Sequence, residues 1–224
     1  MAIPYLDTQN IFNQQAHCHF EPFVIDVRAT KTLGEFSMNV EIKDEGMICL
    51  IGNNGSGKTT LLNLIAGVSH IDSGYIRIDS TDITSVQQEK RNVVLVMPDS
   101  AIPNFEVERH LVFGANLKRL PLDQLFINEV KTKLGVTFSG RVSQLSLGMK
   151  ERVALATALI AKPKAILVDE AFSNIDNKSE FIENYRELAA SSNIDILYST
   201  QHSEDSNRAD HIYRMESGRA LRER

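Results

Sequence analysis

Positive charge is the first shortage in this chain. Among 224 residues, 24 Lys and Arg face 29 Asp and Glu, for a formal net charge of −5. Phosphate backbones are held largely by Lys and Arg, so this balance excludes wholesale nucleic-acid binding. Cysteine is also scarce, with only Cys18 and Cys49. Two thiols cannot build a disulfide framework. Cys49 sits inside the apolar run Met47-Ile48-Cys49-Leu50-Ile51, as a reduced, buried thiol of a cytosolic protein would. His17-Cys18-His19 looks like a metal cluster, but adjacent side chains diverge and no further ligand stands at finger-like spacing. Long hydrophobic runs are missing: nothing reaches about 18 apolar residues, which excludes a membrane-spanning helix and leaves any membrane role to a partner. Residues 1–7 lack a basic region followed by an apolar run, so no secretory signal is expected. Internal repeats, low-complexity tracts and Pro/Gly-rich linkers are absent too.

What remains is ordinary globular material, 42% hydrophobic and 24% charged, and long enough to bury a sizeable core. Residues 1–21, rich in Gln, Asn and His, read as an N-terminal extension, and residues 22–224 as one domain. Segments 23–28 and 34–42 read as an antiparallel hairpin, the second alternating Phe36, Met38, Val40 and Ile42. Short, fully apolar runs at 47–51 and 165–168 have the pattern of strands buried on both faces of a parallel sheet. Further strands are expected at 75–78, 93–97, 194–199 and 211–215, and helices at 58–66, 147–160, 178–190 and 204–209. Residues 107–134 read as two or more helices broken near Pro121, within a helical subdomain spanning approximately residues 100–160. Strands alternating with helices predict an α/β fold on a mainly parallel sheet, with a small antiparallel β subdomain and the helical subdomain.

The run Gly52-Asn53-Asn54-Gly55-Ser56-Gly57-Lys58-Thr59 satisfies G-x-x-x-x-G-K-S/T in full, between a buried strand and a helix that continues through Thr60. Glycines let the backbone curl so that successive N–H groups face inward at phosphate oxygens, and the helix N-terminus adds partial positive charge. Lys58 is placed to neutralise β- and γ-phosphates, and the Thr59 hydroxyl to ligate Mg2+. The pattern predicts a nucleoside triphosphate with Mg2+ and does not separate kinase, GTPase and ATPase. The run Ala165-Ile166-Leu167-Val168-Asp169-Glu170 is an apolar strand ending in two carboxylates. It is expected beside the strand that carries the phosphate loop, with Asp169 at the Mg2+ shell and Glu170 orienting the attacking water as general base.

Further motifs carry a resemblance. Leu145-Ser146-Leu147-Gly148-Met149-Lys150, followed by Glu151-Arg152-Val153-Ala154, resembles the LSGGQ signature and helix of ABC ATPases. Ser173-Asn174-Ile175-Asp176 is similar to the family's D-loop, His202 to its switch histidine, and residues 91–107 to the segment leading through its Q-loop. The wording is closest to importer-type subunits. The resemblance covers nearly the whole chain from Leu33 onward. It implies a P-loop NTPase fold and an ATPase that powers solute transport through separate transmembrane permease subunits. The chain would then be cytoplasmic and peripheral on the inner face of the cell membrane. It also implies a head-to-tail homodimer, or a heterodimer with a second ATPase subunit. In that assembly Ser146 and Gly148 touch the γ-phosphate bound by the partner copy, Asp176 lies at the interface, and His202 bonds the γ-phosphate. Ser146 and Asp176 also suit helix N-caps.

Departures from the family pattern accompany the match. Leu147 replaces the first signature glycine, Met149 the usual Gln, and Pro98 the Q-loop Gln, with Asp99 the nearest polar substitute. Leu33, not an aromatic, precedes Gly34 where the family stacks the base, leaving Phe36 or Phe23 as substitutes. An active but slowed ATPase is therefore expected. The alternative is a soluble ABC ATPase, for example in cluster assembly. A GTPase reading rests on Asn177-Lys178-Ser179-Glu180, which has Glu where the guanine-reading motif has Asp. Glu170 argues against a non-enzymatic sensor. The last residues leave no room for the regulatory domain that some importers append.

Overall fold

The computed structural model describes residues 24–224; the expected extension at 1–21 and Phe23 lie outside them. The hairpin forms as expected, from β1 (Ile25–Leu33) and β2 (Phe36–Asp44). Its register pairs Leu33 with Phe36, so the turn is Gly34-Glu35, and Gly34 takes the positive φ of 60° that such a turn demands. With β4 (Ser73–Ile78) and β5 (Thr81–Asp82) it makes an antiparallel sheet ordered β2-β1-β4-β5. Alternation decides its faces: Ile25, Val27, Met38, Val40 and Ile42 are buried, with exposed or half-buried residues between them.

The second sheet holds β3 (Met47–Ile51), β6 (Val93–Val96), β7 (Ala165–Asp169), β8 (Asp195–Thr200), β9 (His211–Glu216) and β10 (Arg219–Arg222), ordered β10-β9-β3-β8-β7-β6. All neighbours are parallel except the β9–β10 hairpin. Every residue of β3, β7 and β8 is buried, because both faces are covered. Ile48 and Leu50 point to α1 (Lys58–Ala66), which lies between the two sheets and shares its core with Ile25, Val27 and Ile42. Met47, Cys49 and Ile51 point to the other side, among residues of α5 (Leu147–Ile160) and α6 (Lys178–Ser191). The Cys49 thiol is buried there, and burial pushes its pKa up to about 12, so it is an inert core residue.

Helices α2 (Val107–Leu111), α3 (Phe113–Leu117) and α4 (Gln124–Lys133) pack with α5 as the helical subdomain. Buried His110 ties them together. Its Nε2 accepts the Ile102 N–H at 2.9 Å, which leaves the proton on Nδ1, 2.8 Å from Thr157 Oγ1 on α5. The C-terminal end of α1 is closed by buried Arg91, whose guanidinium and Nε–H donate to the carbonyls of Leu64, Ile65, Thr84 and Val86.

One expectation changes. Strand β7 does not lie beside β3, since β8 intervenes. The structure also adds a strand that the sequence pattern did not indicate, β10; Gly218 makes the turn into it possible, with φ of 77° and the Ser37 carbonyl where a Cβ would sit.

Asp195, at the start of β8, is 4% exposed and accepts the Gly46 N–H at 2.7 Å with one oxygen, while the other has no partner among the described residues. Burial raises its pKa to about 7. The native state therefore holds this proton longer than the unfolded chain, and the site's contribution falls as pH rises from about 4 to about 7. Asp195→Asn should melt close to the parent near pH 5. It should gain several degrees on the parent by about pH 8, as followed by thermal denaturation against pH.

Candidate functional site

Strand β3 delivers the chain into the loop 52–57, where Gly55 and Gly57 adopt φ of 78° and 107°. A Cβ on Gly57 would press on the tip of the Phe36 ring at 2.9 Å, a contact the ring can yield to, so it is the positive φ that requires glycine. Helix α1 starts immediately after, with no side-chain cap and no acid in its first turn. Its free N–H groups and the positive end of its dipole are thus left for an anion. Lys58, 5% exposed, folds back and donates to Gly52 O at 2.7 Å and Asn53 O at 3.1 Å. Burial lowers its pKa, while the charges of Glu170 and Asp169 hold the proton on. A cavity of about 280 Å³ runs from Lys58, Thr59, Thr60 and Glu170 to Leu33 and Phe36. One end is a phosphate cradle and the other an apolar wall. A second cavity of about 370 Å³ lies on the other flank of the loop, between Asn53 and Ser56 and the residues 214–217.

The structure brings Asp169 and Glu170 to this cradle through β8. Ser199 Oγ donates to Asp169 Oδ1 at 2.6 Å and itself accepts the Glu170 N–H at 3.1 Å. The chain turns at Glu170, with φ of 56°, so the two carboxylates part company. Glu170 Oε1 lies 4.0 Å from Lys58 Nζ and accepts the Gln201 amide at 2.9 Å. Thr59 Oγ1 and Asp169 Oδ2 take no hydrogen bond from the described residues. These are hard oxygen donors of the kind Mg2+ selects, so the residues fit that ion.

Ser146, Gly148 and His202 line neither cavity. Ser146 caps α5, its Oγ accepting the Met149 N–H at 3.3 Å, and Leu147 beside it is 46% exposed. A Cβ on Gly148 would come within 2.4 Å of the Asn174 carbonyl. The segment 173–176 is pinned to α5 at both ends. Buried Glu151 accepts the Asn174 side-chain and backbone N–H groups at 2.7 and 3.3 Å, and Arg152 donates to Asp176 O at 2.8 Å. Asp176 is not the cap of α6; that place belongs to Asn177, in the left-handed region. Pro98 is the second residue of a turn over 97–100, closed by Ser100 N–H to Met97 O at 3.0 Å, and Asp99 is exposed on it away from both cavities.

Gln201 and Ser199 are the residues that motif reading misses. The signal is strand alternation: Ser199 and Gln201 share a face at the end of β8, while Thr200 points into the core. His202 is exposed, uses its backbone N–H on Thr200 Oγ1 and opens the turn 203–208.

The family described as ABC transporter matches residues 36–173. The molybdate/tungstate import ATP-binding protein WtpC of Archaeoglobus fulgidus is 35% identical over 79% of this chain and 76% of its own length. The Fe(3+) ions import ATP-binding protein FbpC of Vibrio cholerae is 34% identical over 73% of this chain, and the match spans about half of that protein, 49%. Among solved structures, cbiO1 of Clostridium perfringens superposes with a TM-score of 0.73 at 23% identity, covering 90% of this chain and 88% of that one. That likeness shows the fold.

The close approach at Gly148 has a measurable consequence. Gly148→Ala should lower stability by about 1–3 kcal/mol in chemical denaturation, while nucleotide binding by the isolated chain stays at the parental level. Unchanged stability would mean that α5 and the segment 173–176 are not in contact.

Proposed function

The chain belongs to the ABC transporter family, and from that premise we propose that it is the ATP-binding and hydrolysing subunit of an importer, powering solute passage through separate transmembrane permease subunits. The observation that carries this reading is the intact cradle: an uncapped helix end, a buried lysine and a carboxylate pair meet at one cavity. No helix among the described residues is long and apolar enough to cross a membrane; in this reading the chain lies at the inner face and couples to transport through its permease partners.

On ATP binding, the β- and γ-phosphates take the loop and α1 N–H groups, and Lys58 exchanges the Gly52 and Asn53 carbonyls for phosphate oxygens. Thr59 and Asp169 would hold Mg2+, which neutralises phosphate charge when bound. Glu170 accepts the proton of the attacking water. The apolar wall of Leu33 and Phe36 takes the base, in place of the family's aromatic. Two copies, or this chain and a second ATPase subunit, close head to tail. The α5 end at Ser146, with Gly148 and exposed Leu147, then faces the γ-phosphate of the other copy. Because Glu151 and Arg152 tie the segment 173–176 to α5, that segment moves with the signature as one piece. Hydrolysis removes the linking phosphate and releases the pair.

Glu170→Gln should slow phosphate release by roughly 100-fold or more and run as an ATP-dependent dimer on gel filtration. Hydrolysis at the parental rate would overturn the assignment of the base. Co-purification with polytopic membrane proteins separates the importer from a soluble ATPase.

A further inference from the structure

We propose that Gln201, beside the residue that resembles the switch histidine, is the positioning residue for Glu170; this deepens the ATPase reading and rests on it. Gln201 Nε2 donates to Glu170 Oε1 at 2.9 Å. With that oxygen held on one side by the amide and facing Lys58 at 4.0 Å on the other, Oε2 is left to take the proton of water. Glu170 needs such a hold, since it stands at a sharp turn with its side chain 36% exposed, and an unheld glutamate in that setting samples several rotamers.

The backbone explains why the neighbour does not do this. Strand β8 ends at Thr200, whose Oγ1 donates to buried Asp205 at 2.8 Å and accepts the His202 N–H at 3.0 Å. That arrangement starts the turn 203–208 at His202, and the imidazole makes no hydrogen bond among the described residues. Gln201 continues the face of Ser199, which already touches Asp169 and Glu170. The residue before Gln201 is also joined to the phosphate loop, for Thr200 O accepts the Gly52 N–H at 3.3 Å. A shift of the loop on phosphate binding is therefore carried directly to Gln201, and through it to Glu170. A primary amide does not titrate in the working range, so this hold is independent of pH where an imidazole's is not.

The test uses the full chain with Mg-ATP, comparing the parent with Gln201→Ala, Gln201→His and His202→Ala across about pH 6 to 9. Gln201→Ala should lower kcat by roughly 10–100-fold with KM for ATP nearly unchanged, and the loss should exceed that of His202→Ala. Gln201→His should recover much of the rate and add an acidic limb to the pH profile that the parent lacks. The reverse ranking, with His202→Ala crippled and Gln201→Ala at the parental rate, overturns the proposal. A parent that turns over Mg-ATP beside an equally active Gln201→Ala sinks this inference alone. A parent that neither binds nor hydrolyses Mg-ATP sinks the ATPase reading itself.

Discussion

The arrangement of this molecule turns on the uncapped start of α1. Among the described residues its first N–H groups have no side-chain acceptor, and buried Lys58 beside them is bonded to carbonyls of its own loop. Both features are costly unless an anion arrives. The helix cannot swing away to relieve them. It is clamped between the two sheets by Leu61, Leu62, Leu64 and Ile65, and its far end is closed by Arg91. The core thus holds a phosphate site in a fixed place.

Strand order then decides which groups surround that site. Because β8 separates β3 from β7, the carboxylates reach the cradle across an intervening strand. The end of β8 supplies the connection: Ser199 bridges Asp169 and Glu170, Thr200 meets Gly52, and Gln201 meets Glu170. A separate pinning unit, Glu151 and Arg152 on the segment 173–176, lies away from the cradle on the face that carries Ser146. One subunit therefore contains both parts of a shared site, held by different elements.

Much of this was legible in the sequence, and the reason is locality. The limits of α1 and α5 follow from glycine and serine at their starts and from apolar periodicity, and the structure places them at Lys58–Ala66 and Leu147–Ile160 as read. The all-apolar runs of β3 and β7 report burial on two faces. Which strand neighbours which is not local, and the adjacency of β3 and β7 was wrongly expected for that reason. β10 escaped notice because Arg219, Leu221 and Arg222 lie exposed on an edge and carry no alternating pattern. Gln201 escaped because β8 runs one residue further than its apolar pattern, through buried Thr200, whose hydroxyl bonds Asp205.

The central claim is that phosphate groups, not the base, hold the nucleotide at the end of α1. Titration calorimetry of the purified chain with Mg-ATP and with AMP tests it most directly. The account predicts ATP binding tighter than AMP by roughly 100-fold or more, since AMP lacks the phosphates that meet Lys58 and the loop. Equal affinity for the two nucleotides would contradict it.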